Sequence, residues 1–193
     1  MTYPELYILR HGETHWNAEN RMQGGLNSPL TDAGHAQAVR QAEILQAIDL
    51  SEFDVLCSPQ GRAFETAAIA LARQVRYLRT DDRLREIEVG EWQGRVRTEL
   101  DWDGDAIGGP DGPLAMYAAA PSGEGFKALA ERCTDFLSNL TRPSVLVTHG
   151  VTSRMMRMVL LGHAWDDLQA MAALPGGQGV VYHLKEGVQT KLV

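Results

Sequence analysis

Glu5-Leu6-Tyr7-Ile8-Leu9-Arg10-His11-Gly12 is the stretch on which the reading of this chain turns. Four apolar residues in succession, Leu6 to Leu9, end abruptly in a cation, an imidazole and a glycine. An uninterrupted apolar run of this kind predicts a strand buried on both faces, as in a parallel sheet. Ligands of open α/β sheets sit beyond the carboxyl ends of the strands, so Arg10 and His11 fall where a site is expected. Taken alone, the stretch fits an ordinary strand end with a core histidine equally well.

Working outward, residues 11–30 are rich in Gly, Asn and polar side chains and read as a long functional loop. Thr31-Asp32 supplies a helix start, and Ala38, Ala42, Leu45 and Ile48 recur on one side of the helix that follows. Phe53 to Cys57 reads as a second strand, closed by Ser58-Pro59 and followed by a helix from about Arg62 to Arg73. Val75 to Leu78 and Leu84 to Val89 are weaker strand candidates. Pro121-Ser122 predicts a helix start with Ser122 as N-cap, and Phe126, Leu129, Ala130, Cys133, Leu137 and Leu140 recur at helical spacing after it. Ser144 to Thr148 is a third apolar strand, ended by His149-Gly150. The helix from about Val151 to Leu161 carries Met155, Met156 and Met158 on several sides and reads as buried core. Val180 to Leu184 and Val188 to Leu192 close the chain as strands.

Residues 101–122 differ in character. Asp101, Asp103, Asp105 and Asp111 alternate with Gly104, Gly108, Gly109 and Gly112, which predicts an inserted flap rather than a core element.

Three strands therefore end in Arg10-His11, in Ser58 followed by Arg62, and in His149. Two arginines and two histidines converge at one sheet edge, where unpaired buried charge is costly. A bound anion removes that cost. The guanidinium fork matches phosphate oxygens, and helix N-termini add N–H donors. A phosphoryl site is the preferred physical reading.

Rival chemistries fit less well. No Gly-x4-Gly-Lys-Ser/Thr loop is present. Four residues separate Cys57 from Arg62, whereas cysteine-dependent phosphatases have five between the two to wrap the backbone round the phosphate, so Cys57 reads as structural. The acidic run from Asp101 lacks the glycine of a calcium loop, having Ala106 at the sixth position. His11 and His15 have zinc-ligand spacing for a helix, but the strand and Gly12 argue against a helix there.

Composition sets the frame for these local readings. The chain has 193 residues, 44% hydrophobic and 22% charged, which predicts one domain, 1–193, with an excursion. A net charge of −7 argues against a nucleic-acid partner but leaves room for a local anion site. Two cysteines suit a reducing compartment. Neither a signal peptide nor an apolar run of roughly 20 residues is visible, so no membrane role and a cytoplasmic location are expected.

Leu9-Arg10-His11-Gly12-Glu13-Thr14, Trp16-Asn17, Arg21, Gln23-Gly24, Pro29-Leu30-Thr31 and Gly34 resemble the histidine phosphatase superfamily, also called the phosphoglycerate mutase-like family. The likeness continues through Ser58-Pro59, Arg62-Ala63, Thr66-Ala67, Leu84-Arg85-Glu86, Gly90, Trp92 and Gly94, then Pro121-Ser122-Gly123-Glu124 and Thr148-His149-Gly150. It implies an α/β fold: one domain, a mainly parallel central sheet flanked by helices, and a flap at about 95–122 over the site.

The resemblance also implies roles. His11 is the nucleophile that becomes a phosphohistidine, and Arg10 and Arg62 keep it neutral. With His149 they hold the phosphoryl oxygens during transfer. Asn17, Gln23 and Gly24 lie on the substrate-binding loop. Glu86 is the candidate general acid, since Gly150 stands where another branch carries its acid; Glu88, Glu91 and then Glu13 are the fallbacks. No metal or cofactor is implied.

Two departures qualify the likeness. Many family members carry Leu where Gln60 stands. The family's mutases carry a basic insertion, whereas here Arg95 and Arg97 precede an acidic flap. The expectation is thus a metal-independent phosphatase acting on a small phosphorylated substrate. Mutase-type transfer is the first alternative, and a non-catalytic phosphate-binding module the second. A homodimer is compatible with the sequence.

Overall fold

The computed structural model describes residues 3–102, 108–109 and 112–193. In chain order the elements are β1 (Leu6–Arg10), α1 (His15–Ala18), α2 (Asp32–Leu45), β2 (Asp54–Cys57), α3 (Gly61–Leu71) and β3 (Arg79–Thr80). They continue as β4 (Gly108–Gly109), β5 (Gly112–Pro113), α4 (Leu114–Ala119), α5 (Gly125–Ser138), β6 (Ser144–Thr148) and α6 (Gly150–Leu161). The chain closes with α7 (Leu168–Ala173), β7 (Val181–Lys185) and β8 (Val188–Leu192).

The main sheet runs β3-β2-β6-β1-β7-β8, with β3, β2, β6 and β1 parallel, β7 antiparallel to β1, and β8 antiparallel to β7. All five residues of β1 and all five of β6 are buried, as strands covered on both faces require. Side chains alternate between two cores. Leu6 and Ile8 join Leu146, Phe126, Leu129, Cys133, Met155 and Met156 on the α5–α6 side. Tyr7 and Leu9 join Val145, Val147, Leu45, Ala63 and Ala67 on the α2–α3 side. The α/β architecture expected from the first strand is the one observed.

Register is what assembles the site. Arg10 pairs with Thr148 and Cys57 with Val147, so the parallel strands end level with one another. His11 N–H extends the ladder to Thr148 O at 3.0 Å, and Ser58 N–H does the same to Val147 O at 2.9 Å. His11, Ser58 and His149 consequently emerge side by side. The turn after β1 also needs two glycines. A Cβ on Gly12 would lie 2.3 Å from Gly34 O, and one on Gly34 would lie 2.1 Å from Glu13 O. That close approach presses the start of α2 against the strand end.

Several local expectations are corrected. Leu84–Val89 is not a strand: a 3-10 turn, Asp82–Leu84, leads into an irregular buried path. Its backbone is satisfied by side chains rather than by a ladder. Arg132 Nη1 donates to Arg83 O and Arg85 O, Thr148 Oγ1 to Leu84 O, and Glu86 N–H donates to Gln60 Oε1. Val75–Leu78 is likewise no strand, and pairing with β2 occurs only at Arg79–Thr80.

Ser122 does not cap a helix. It sits at φ +59° and its hydroxyl donates to Glu91 Oε1, while α5 starts at Gly125 with Glu124 as N-cap. The long loop contains α1, whose Thr14–Asn17 capping box was missed; α4 and α7 were also unforeseen. Helix α6 is buried as expected, yet it carries two buried arginines, Arg154 and Arg157. Of the flap, Asp101 is exposed, whereas Asp103, Gly104, Asp105, Ala106 and Asp111 lie outside the described residues.

Candidate active site

A cavity opens at the carboxyl end of β1 and β6, lined by Arg10, His11, Asn17, Gln23, Gly24, Arg62 and Glu86, with Arg21, Arg97, Tyr117 and Arg154 further round its wall. His149 lies behind, its ring centroid 5.1 Å from that of His11. Each candidate residue except His149 therefore reaches one cavity, and His149 packs against the central imidazole.

Two hydrogen bonds define the tautomer of His11. Nδ1 lies 2.7 Å from Gly12 O, which can only accept, so Nδ1 carries the proton. Arg62 Nε, which can only donate, lies 3.3 Å from Nε2, so Nε2 presents its lone pair. Burial, then the charges of Arg62 and Arg10, pull the proton affinity of His11 far below the ordinary imidazole range, against a small opposing effect of the Gly12 carbonyl. The imidazole is neutral, with the lone pair of Nε2 facing the Arg62 guanidinium. His149 is shifted the same way, by burial first and then by Arg62 and His11. Its Nε2 meets Ser58 Oγ at 2.7 Å, while buried Nδ1 has no protein partner.

Neutral carbonyls orient the arginines. Arg62 Nη1 donates to Leu26 O at 2.6 Å and Nη2 to Gly24 O at 3.0 Å. Burial draws its pKa down to about 10, opposed by the nearby Glu86 charge, so the guanidinium stays charged at neutral pH. Arg10 Nη1 donates to Gly176 O at 2.8 Å, and its guanidinium rests on Gly150, where a Cβ would come within 3.1 Å of Cζ. Arg154 and Arg157 grip the two preceding carbonyls, Leu174 O and Pro175 O. Three consecutive carbonyls thus each accept from a different buried arginine. Bonds from a charged donor to a neutral acceptor fix the direction of each guanidinium.

Loop residues are equally well aimed. Asn17 Oδ1 accepts from Thr14 N and Gln178 Nε2, which leaves its NH2 end for a ligand. Gln23 Nε2 donates to Thr14 Oγ1, and its Oε1 is buried without a partner. A half-turn of that amide lets the Thr14 hydroxyl donate to Oε1 and offers the NH2 to the cavity. Gly24 lines the cavity, and its carbonyl also accepts from Arg62 Nη2 and Gln60 Nε2, which holds the arginine in place.

Glu86 is the carboxyl group on the cavity wall. Oε1 accepts from Ile87 N, Thr152 N and Thr152 Oγ1, and Oε2 accepts from Val151 N. The start of α6 holds the group, and Oε2 is its less occupied oxygen. The fallback acids are elsewhere: Glu13 accepts from Thr31 Oγ1, Glu91 from Ser122, and Glu88 lies against Gly25. Cys57 is no rival nucleophile, because burial pushes its thiol up to about 12.

Sequence reasoning noted Gln60 and Thr66 without giving them a role in the site, and passed over Thr152, Arg154 and Tyr117. Gln60 ties Gly24 O to Glu86 N, joining the arginine's anchor to the acid's backbone. Thr66 Oγ1 accepts from Gly12 N at 3.0 Å. Polar residues facing inward from helices are the one signal that would have marked them.

An arginine-lined cavity around a neutral, directed imidazole and a carboxyl group defines a protein built for phosphoryl chemistry on the α/β frame. Residues 6–191 match the histidine phosphatase superfamily (branch 1), and the chain belongs to that family. It is 33% identical to a glucosyl-3-phosphoglycerate phosphatase of Mycolicibacterium vanbaalenii, covering 93% of this chain and 82% of that protein. It is also 33% identical to a probable phosphoglycerate mutase, GpmB, of Cronobacter sakazakii, over 82% and 75% of the two chains. A structure described as a putative alpha-ribazole-5'-P phosphatase from Escherichia coli superposes with a TM-score of 0.79 at 25% identity, over 99% and 95% of the chains. That of a mycobacterial glucosyl-3-phosphoglycerate phosphatase gives 0.75 at 31%, over 94% and 92%. The protein is accordingly an enzyme of the phosphatase kind.

Proposed function

We propose that the protein hydrolyses a small phosphate monoester in two steps through a phosphohistidine on His11 Nε2. In the first step the Nε2 lone pair forms the N–P bond while the ester P–O bond breaks. The electron pair stays on the ester oxygen, which takes a proton from Glu86. In the second step water attacks phosphorus, gives a proton to Glu86, and returns the N–P bonding pair to Nε2. Arg10 and Arg62 balance the charge of the phosphoryl oxygens throughout, and His149 and Asn17 add hydrogen bonds. The observation that carries this reading is the fixed tautomer of His11: a lone pair on Nε2, directed into an arginine-lined cavity.

The two arginines supply the cationic charge that a metal supplies in other phosphatases, so turnover is expected without one. Water as acceptor, rather than a second hydroxyl of the substrate, follows from the acidic composition of the flap sequence. The kinship to a probable phosphoglycerate mutase keeps intramolecular transfer as the second reading. A screen of metabolite phosphates with chelator present tests both. Phosphate release with an acid-labile phosphoryl group trapped on His11 supports hydrolysis. Exchange between the two hydroxyl positions of a phosphoglycerate, faster than release, would favour transfer. Failure to trap any phosphoryl group, together with no turnover, would leave a binding module.

A further inference from the structure

Thr152 lies in the first turn of α6, fully buried, behind Glu86 rather than on the cavity wall. Its Oγ1 stands 2.8 Å from Arg85 O and 3.0 Å from Glu86 Oε1. A hydroxyl has one proton to donate, and here it faces two acceptors. Which one receives it depends on the charge of the carboxyl group. With the acid proton on Oε2, Oε1 is a carbonyl oxygen already served by Thr152 N at 3.0 Å and Ile87 N at 3.1 Å, and the hydroxyl proton suits Arg85 O. Once Oε2 has given its proton away, Oε1 shares a full negative charge and draws the hydroxyl proton to itself.

The swing leaves nothing stranded. Arg85 O also accepts from Arg132 Nη1 at 3.0 Å, so it keeps a donor when the hydroxyl turns away. Burial removes water as a substitute on either side, so the full benefit of the turn falls on the newly formed carboxylate.

We propose that Thr152 is a positioning residue for proton transfer, its hydroxyl rotating from Arg85 O to Glu86 Oε1 as Glu86 protonates the departing oxygen. This rests on Glu86 being the proton donor of the reaction given above. The bonds balance: the ester P–O pair ends on the leaving oxygen, the Oε2–H proton joins it, and Thr152 changes only its hydrogen-bond partner. The stabilised species is the carboxylate formed in the step, so the effect grows with the leaving group's need for a proton.

That dependence supplies the test. The value of kcat/KM, which reports the chemistry up to phosphoryl transfer, is measured for substituted phenyl phosphates from 4-nitrophenyl to 4-methoxyphenyl and for benzyl phosphate. Wild type is compared with Thr152→Val, Thr152→Ala, Thr152→Ser and Glu86→Gln. The expected result is a loss in Thr152→Val that is about tenfold greater for benzyl than for 4-nitrophenyl phosphate, in line with one hydrogen bond to a charged group. Thr152→Ala shows the same pattern should valine disturb the fold, and Thr152→Ser restores the wild-type slope. An equal loss across the series in both Thr152→Val and Thr152→Ala, with Glu86→Gln still discriminating, overturns the role of Thr152 and leaves Glu86 as the acid. A Glu86→Gln variant without leaving-group discrimination removes Glu86 as donor, and the role of Thr152 falls with it.

Discussion

Arg62 Nε points at His11 Nε2 across 3.3 Å, a charged donor directed at the lone pair of a neutral imidazole. The contact is possible only while His11 is unprotonated. In the proposed mechanism, substrate binding replaces this bond with one from Arg62 to a phosphoryl oxygen. Arg62→Ala should lower kcat/KM by about 10²–10³-fold, as removal of one preorganised charge-stabilising donor does elsewhere. Steady-state kinetics on an aryl phosphate measure it, and a rate within a few fold of wild type would mean that Arg62 does not meet the substrate.

The two buried histidines give stability a defined pH dependence. Both are depressed in the folded state, so below the ordinary value of 6.5 the unfolded chain binds more protons than the folded one. Stability then rises with pH through the acid range and levels off above about 6.5. On the way down each histidine costs about 1.4 kcal/mol per pH unit until its folded-state pKa is reached. Urea midpoints between pH 5 and 7 should show this slope (roughly the window set by an ordinary imidazole). His149→Asn should flatten it, and an unchanged slope would contradict the buried neutral state.

Gly12→Ala should damage fold and activity together. The added methyl would meet Gly34 O at 2.3 Å, backbone against backbone, and relief requires α2 to move from the end of β1. Overpacking of this kind costs about 1–3 kcal/mol. Thermal unfolding measures the loss, and a variant as stable as wild type would show that this approach is not tight.

Gln60→Leu, the side chain common in the family, should fold yet turn over more slowly. Among the described residues, it strips Glu86 N–H of its one acceptor and removes one of two donors from Gly24 O. A buried unsatisfied N–H costs about 1–3 kcal/mol. Denaturant unfolding and kcat measured side by side would show it, with an unaltered kcat sinking the idea that this bridge holds the acid in place.

Much of the site was legible because it is written at strand ends. Four apolar residues followed by Arg10-His11, and the run Ser144–Thr148 followed by His149, mark positions that a parallel sheet must bring level. Arg62 followed from the first turn of the next helix. The segment carrying Glu86 was misread as a strand because Leu84, Ile87 and Val89 are buried and nearly alternate, while the bonds that satisfy its backbone come from Gln60, Arg132, Thr148 and Thr152 in distant segments. No local pattern records such partners. The buried Arg154 and Arg157 of helix α6 drew no reading from the sequence for a related reason: the carbonyls of residues 174–176, which receive them together with Arg10, lie in a separate segment.

The fork of Arg62 is held by two peptide oxygens, with no carboxylate among its hydrogen-bond partners in the described residues. In the proposed mechanism, departing inorganic phosphate leaves a guanidinium that no carboxylate of the described residues hydrogen-bonds, with Glu86 the nearby opposite charge. On that mechanism free phosphate is expected to compete with substrate for the same fork.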